Sequence, residues 1–558
     1  MNFHNSAMAN EEINGHLIGL LWTRFCHSRL LNSLFAIIFR YPRLLMVLFL
    51  FFVTTCILFG SIFFSRGYPS RDSGACLYIA QSILDGKIPY KDAWDNKPPA
   101  IFYIDALGLV IGKGSIWGVW LVELLFLYIA VILCMKTLSR AFGISSAFFG
   151  SMAWLAGLML LFTVGGTNLQ EEYAITLKFA ALWLFLRCED EGYRSWRGFL
   201  LGVTGAFAFL FRQNLIGVHL GIGIYLLLTR IYRRQAKRLV SELFWIMSGG
   251  SIVVAIVVAY FASKSALGDF IDVAFLYNMI YSAVSLQSRF DSSIAGFIEL
   301  AKSGIGIIAV ASWLAGLIFI VTGQQLGCDA KRLLSLAIIV FPFEILFTGI
   351  SGRGYGHYYQ AWLPIIAVLT GFYAGNLFTR SNNVQNKLDF RAITWQLSLM
   401  VGIFMLPIYV TIAGALPIGR PANAVARAAD YVREFTQPNE YVLVWGSEPS
   451  INFVSNRRSP TKFFHQYPLL TRGYVTAGMI KEFIAEIEAH RPALIIDTSP
   501  INTIVPPIDD NRREGWKRWG PNSFYAPTSE MDEIFVYFNS NYKERGPLVQ
   551  PQGVVPNP

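Results

Sequence analysis

RDSGACLYIAQSILDGKIPYKDAWDNKPP, residues 71–99, sets carboxylates, lysines, aromatic rings and prolines into a chain otherwise dominated by apolar runs. What this block means depends on what surrounds it. The chain has 558 residues, 54% of them hydrophobic and 15% charged, with 44 Phe and 14 Trp. An ordinary soluble domain is about a quarter charged. Apolar stretches of roughly 18 residues or more recur along the sequence, the pattern of a polytopic α-helical membrane protein.

The formal charge of +10 does not point to a nucleic acid. Lys and Arg cluster in short loops between apolar runs, as in the cytoplasmic loops of membrane proteins, and form no basic stripe. Arg24, Arg29, Arg40 and Arg43 precede the first run, so the N-terminus is expected in the cytoplasm. Helices are expected at 44–65, 116–138, 145–164, 172–188, 197–211, 214–230, 241–263, 303–323, 333–350, 359–379 and 394–417, about eleven spans. Alternation then places Lys136 and Arg140, the cluster from Arg230 to Arg238, Lys331 and Arg332, and Arg380, Lys387 and Arg391 inside. It places the opening block, GGTNLQEE (165–172), a long loop at 264–302, SGRGYGHYY (351–359) and everything after 418 outside.

IFYIDALGLVIG, residues 101–112, is apolar but short. Counting it as a span would invert every later loop against the charge pattern. It therefore reads as a re-entrant or interfacial helix of the outer block, opened by Pro98 and Pro99. The expected organisation is a basic, interfacial cytoplasmic segment at 1–43, then a transmembrane domain at 44–418 whose outer loop covers 66–115. A small α/β domain at 419–540 follows outside the cytoplasm, then a Pro-rich tail at 541–558, expected to be disordered. Within the α/β part, AVARAADYVREF (424–435) and KEFIAEIEAH (481–490) have helical spacing, while YVLVWG (441–446) and ALIIDTS (493–499) read as buried strands. Of six cysteines only Cys76 falls outside, so no disulfide is expected, and no Cys/His spacing suggests zinc.

Asp72 follows the first span closely, and Asp92, Asp95 and Lys97 lie in KDAWDNKPP. Solvated carboxylates are ordinary in outer loops. Here, however, they mix with Tyr78, Tyr90, Trp94 and Phe102, a composition suited to burial at the interface. Charges held near low dielectric interact strongly and mark function.

A first span, an acid early in the outer loop and a WDNKPP motif together resemble the GT-C superfamily of membrane glycosyltransferases. The similarity is to the bacterial group that includes protein O-mannosyltransferases and the aminoarabinose transferases of lipid A. DGKIPYKDAWDNKPPAIFYIDAL (85–107) is its specific part. The resemblance implies that Asp72 is catalytic and that Lys97 meets the lipid phosphate. Ser73 follows the acid, where the protein O-mannosyltransferases have an Asp-Glu pair.

Under the same resemblance Asp92, Asp95 and Glu171 would position substrate. Glu172 also suits the dipole at a helix start. Arg212 would meet an anion at a helix N-terminus or simply snorkel, and Arg353, His357 and Tyr358 in the Gly-rich stretch would contact phosphate. Glu123 and Glu344 read as hydrogen-bonding groups between helices. The implied reaction is an inverting transfer of a sugar from a polyprenyl-phosphate donor to a hydroxyl of a lipid, glycan or protein acceptor. No cofactor is required; the carboxylates leave room for a divalent metal without any spacing that demands one. The implied location is a bacterial inner membrane with the C-terminal domain outside. The competing class is a lipid-linked sugar transporter or flippase, whose charges would sit on broken helices near the midplane.

Overall fold

The computed structural model describes residues 42–64, 67–194, 196–382, 424–499, 504–514, 523–544 and 546. The interfacial N-terminal segment up to residue 41, the span expected at 394–417 and most of the Pro-rich tail lie outside the described residues. The chain divides into two compact units, residues 1–53 and 54–558. The described part of the first is the opening of helix α1 (Pro42–Phe64), apolar along its length. All that follows concerns the second.

There the helices α2 (Arg71–Leu84), α3 (Ala100–Ile111), α4 (Ile116–Phe142), α5 (Ile144–Gly165), α6 (Gln170–Glu191), α7 (Trp196–Phe211), α8 (Gly217–Tyr232) and α9 (Ala236–Ser263) follow in order. After them come α10 (Leu267–Tyr281, with a π turn), α11 (Leu286–Ala301), α12 (Ile305–Val321), α13 (Cys328–Gly349) and α14 (Leu363–Asn382). Among the described residues six helices are long and apolar enough to cross a membrane, or seven if the bent pair α10–α11 counts as one span. The expected count of about eleven is therefore not reached by length and composition. α7 and α12 are short, and α6 carries Glu171, Glu172 and Lys178. α3, at 12 residues, rises about 18 Å, well short of the roughly 30 Å hydrocarbon core. It packs between α2 and α4 through Leu77, Ala80, Ala106, Leu109 and Val119.

One expectation is corrected outright: residues 264–302, read as a long loop, are helical. α10 and α11 meet at a 93° bend. On α11, Leu286, Phe290, Ile294 and Ile298 recur every fourth residue on the exposed face, while Ser292, Gly296 and Leu300 turn inward. A Cβ at Gly296 would fall 2.5 Å from the Tyr359 ring. Large apolar residues outward, with Ser292 and Gly296 inward, suit a helix facing lipid; Arg289, Asp291 and Glu299 masked it in the sequence.

Beyond residue 424, α15 (Ala424–Phe435), β1 (Val442–Trp445), α17 (Ala477–Ala489) and β2 (Leu494–Asp497) form about where their patterns indicate, and a short helix α16 (Ser450–Ser455), not expected from the sequence, follows β1. β1 and β2 are parallel, with Val442 opposite Leu494 and Trp445 opposite Asp497. Val432, Val442, Val444, Ile451 and Ile496 make a small core. This segment lies in the same unit as the membrane helices and is fastened to α2. Ser450 Oγ donates to Ser70 O at 3.2 Å, and the Ser459 amide donates to Tyr78 Oη at 2.9 Å. Gly74 and Ser450 approach so closely that a Cβ on Gly74 would lie 2.8 Å from Ser450 Cβ.

Several basic residues that marked the expected cytoplasmic loops are ion-paired. Arg140 binds Asp329 at 2.7 Å and also Asp190; Arg332 binds Asp190 at 2.6 Å; Arg230 binds Glu189 and Glu242 at 2.7 and 2.9 Å. These contacts tie α4, α6, α8, α9 and α13 together.

Candidate active site

Helix α2 starts immediately before Asp72. Ser70 is its N-cap, accepting from the Ser73 amide at 3.4 Å, and an acid in the first turn is favoured by the helix dipole. Ser73 is buried and its Oγ accepts from Asn168 Nδ2 at 3.2 Å. Asn168 in turn donates its amide to Glu123 and Glu172, at 3.2 and 2.9 Å. Glu123 thus ties α4 to the loop that leads into α6. Glu172 also accepts from the Leu169 amide at 3.2 Å, capping the start of α6.

The WDNKPP motif folds back on α2 through local chemistry. Asp95 accepts from the Lys97 amide at 2.9 Å, a tight Asx-type turn. The turn brings Lys97 Nζ to 3.2 Å from Asp95 Oδ2 and 3.6 Å from Asp72 Oδ1. Asn96 and Asn278 exchange hydrogen bonds of 2.7 and 2.8 Å, joining the motif to α10. Tyr90, in a left-handed conformation (φ 72°), donates to Lys97 O at 2.9 Å.

These groups face a cavity of about 570 Å³ lined by Asp72, Asp95, Lys97, Arg212, His357 and Tyr358, among others. Six sequence candidates thus meet in one place. Asp72 is 48% exposed, and that exposure opens onto the cavity. Arg212 pairs with buried Glu171 and stacks 3.7 Å over the Tyr358 ring, so it is held in place rather than snorkelling freely. Gly165 makes room for His357; a Cβ there would be 2.7 Å from His357 Cβ.

Three candidates lie elsewhere. Asp92 is exposed and accepts from the Ile88 amide at 2.7 Å, closing a turn. Glu171 stands behind Arg212 without lining the cavity. Arg353 is also absent from the lining; its guanidinium sits 4.6, 4.8 and 5.8 Å from the rings of Tyr281, Phe524 and Tyr525. Three glycines suggested a phosphate loop, but the aromatic partners come from α10 and from the C-terminal segment, which local sequence does not reveal.

Burial works to raise the Asp72 carboxyl, but Lys97, with His357 and Arg71, outweighs it and holds the group below the usual carboxylate range. Burial likewise opposes charge on Asp95 and on Lys97. Their mutual attraction prevails, aided by His465, so the acid is lowered and the lysine raised. His357 is lowered by burial, then by Arg212 and Lys97, against Glu171 and Asp72. Arg71 donates to Glu448 Oε1 from Nε and Nη2 at 2.9 and 2.7 Å.

Sequence reasoning missed the contribution of the C-terminal segment. Ser447, Pro449, His465, Tyr467 and Tyr525 all line the cavity, and the aromatic run KFFHQY (462–467) was its signal. It also missed Lys178, whose Nζ donates to Glu344 across helices, as a hydrogen-bonding role for Glu344 led one to expect, and makes the contact a fully buried ion pair at 2.7 Å. Among the described residues no group of three or more His, Cys, Asp or Glu is arranged to hold a metal ion.

Residues 96–261 match the family described as dolichyl-phosphate-mannose-protein mannosyltransferase, a match over less than half of the chain. The crystal structure of ArnT from Cupriavidus metallidurans bound to undecaprenyl phosphate superposes with a TM-score of 0.52 at 12% identity, covering 90% of this chain and 95% of that one. The oligosaccharyltransferase of Archaeoglobus fulgidus in the apo form gives 0.47 at 12% identity, over 75% of this chain and 64% of that one. No curated protein matches the chain significantly in sequence. The protein shares its fold with that ArnT structure, and its charged cavity lies where the early loop meets the C-terminal segment.

Proposed function

We propose that the protein transfers a sugar from a polyprenyl-phosphate-linked donor to an acceptor hydroxyl, inverting the anomeric centre, with Asp72 as general base. The observation that carries this reading is the meeting of Asp72 with Lys97 at 3.6 Å in a cavity that also presents Arg212 and His357. ArnT, of the same fold, was crystallised with undecaprenyl phosphate, which supports a ligand of that class here.

The acceptor oxygen attacks the anomeric carbon as the bond from that carbon to the phosphate oxygen breaks. The acceptor proton passes to Asp72, and the bonding electrons leave with the phosphate. Lys97 and Arg212 offset the charge that grows there, and His357 offers a hydrogen bond. An arriving phosphate also draws on Lys97 and His357, the groups that hold Asp72 low. Donor binding therefore raises the proton affinity of the base. Lys97 is shared by both cavity carboxylates; the proposed steps use no cofactor, and the carboxylates leave room for a divalent metal. The proposed setting is a bacterial inner membrane, with the cavity on the outer face.

The test is Asp72→Asn, assayed in proteoliposomes with a polyprenyl-phosphate sugar. Transfer should fall at least about a hundredfold, the usual cost of losing a general base, while donor binding and the melting temperature hold. Substantial turnover by Asp72→Asn would remove it from the chemistry.

A further inference from the structure

The cavity has two chemically different halves. One carries Asp72, Lys97, Arg212 and His357; the other presents the half-buried rings of Tyr467 and Tyr525, backed by buried Trp94, Tyr277 and His465. The aromatic half is built from three distant parts of the chain. Trp94 meets Tyr277 edge-on at 4.7 Å, the His465 ring lies 5.6 Å from Trp94 and 5.5 Å from Tyr467, and Tyr467 lies 5.2 Å from Tyr525.

This wall is preorganised. The Trp94 amide donates to Lys462 O at 2.9 Å, and its indole donates to Tyr474 Oη at 3.1 Å. Arg353 clamps Tyr281, Phe524 and Tyr525 from outside the lining. The two halves meet beside the base: Asp95 stands 3.2 Å from Lys97 and 3.8 Å from His465 Nε2. Arg212 and Tyr358 belong to a separate charged contact formed with Glu171.

We infer that the aromatic wall is the acceptor subsite and that the acceptor is a saccharide; this rests on the glycosyltransferase reading above. A pyranose ring presents faces of C–H groups, polarised positive by neighbouring oxygens, and a rim of hydroxyls. Aromatic faces carry negative charge density and attract such C–H groups. Tyrosine hydroxyls and His465 then supply directional partners for the rim, the usual division of labour in a small-molecule pocket. A peptide would call for main-chain partners along an extended groove, and a simple lipid alcohol has no ring to stack. Lys97 and Arg212 take the donor phosphate, so the ring on the aromatic wall delivers a hydroxyl to Asp72 from the other side.

The experiment uses the full-length protein in detergent and three soluble probes: methyl hexopyranosides, a Ser/Thr-rich peptide and phosphatidylglycerol micelles. Saturation-transfer NMR should show contact to the pyranoside ring protons only, in wild type and in Asp72→Asn alike. Tyr467→Ala and Tyr525→Ala should weaken that contact, and Tyr467→Phe and Tyr525→Phe should keep most of it, with melting curves confirming the fold. In the transfer assay the alanine variants should raise the acceptor KM by about fivefold to tenfold per ring, the scale of one aromatic contact, and leave the donor KM unchanged. A lipid-linked sugar that competes as well as the free glycoside would identify the same chemistry on a membrane-borne acceptor. Preferential binding of the peptide or phospholipid, or a shift in donor KM alone, overturns the inference while Asp72→Asn still tests the reaction. If pyranosides bind but no polyprenyl-phosphate sugar is ever used, the glycosyltransferase reading falls, and the saccharide site with it as an acceptor site.

Discussion

Lys97 Nζ stands 3.6 Å from Asp72 Oδ1 and 3.2 Å from Asp95 Oδ2, one ammonium shared by two carboxylates that belong to different structural elements. Asp72 rides on the first turn of α2, whereas Asp95 and Lys97 belong to the turn before α3. Their juxtaposition makes the acidity of Asp72 a property of the tertiary fold.

The pH profile follows from that. A general base works when deprotonated, and Lys97 helps keep Asp72 below the usual carboxylate range against the effect of burial. Activity should therefore be insensitive to Asp72 ionisation from neutral pH down to about pH 4, the ordinary carboxylate value. Lys97→Met removes the largest lowering influence, so burial dominates and the acid limb of kcat/KM should move to higher pH. Residual activity in Lys97→Met with an unshifted limb would show that Lys97 does not set the state of Asp72.

The contact between α2 and the C-terminal segment predicts a paired result. Gly74→Ala places a methyl against the Cβ and backbone of Ser450, an overpacking that costs about 1–3 kcal/mol. It should lower the melting temperature and slow transfer, because the same helix carries Asp72. Adding Ser450→Gly should restore much of both. A double variant no better than the single would argue against direct coupling at this point.

Lys178 and Glu344 are both fully buried and joined at 2.7 Å. Glu344→Leu alone strands a buried ammonium and should destabilise the protein by about 3–5 kcal/mol. Lys178→Met combined with Glu344→Leu should recover most of the loss in a detergent melt. A single variant as stable as wild type would mean that the pair contributes nothing to the bundle.

Topology is tested by reporter fusions. Fusions after residue 420 should be active only outside the cytoplasm, and fusions near Arg234 only inside. The reverse pattern would place the cavity on the cytoplasmic face and overturn the orientation read from the charges.

The membrane class, most of the helices and the choice of Asp72 and Lys97 as candidates were legible in the sequence. Each leaves a local mark: an apolar run long enough to span, an acid just after the first span, a lysine before two prolines. Such marks survive in one dimension because hydrophobic burial and turn formation act over a few residues. α11 was misread because its period-four apolar face looks outward and charges interrupt the run. The aromatic surroundings of Arg353 were not legible, because only folding brings Tyr281, Phe524 and Tyr525 around it. His465, 370 positions after its neighbour Asp95, could not be placed from sequence at all. Close packing decides which distant side chains share one low-dielectric cavity, and there the charges of Asp72, Asp95 and Lys97 act on one another strongly.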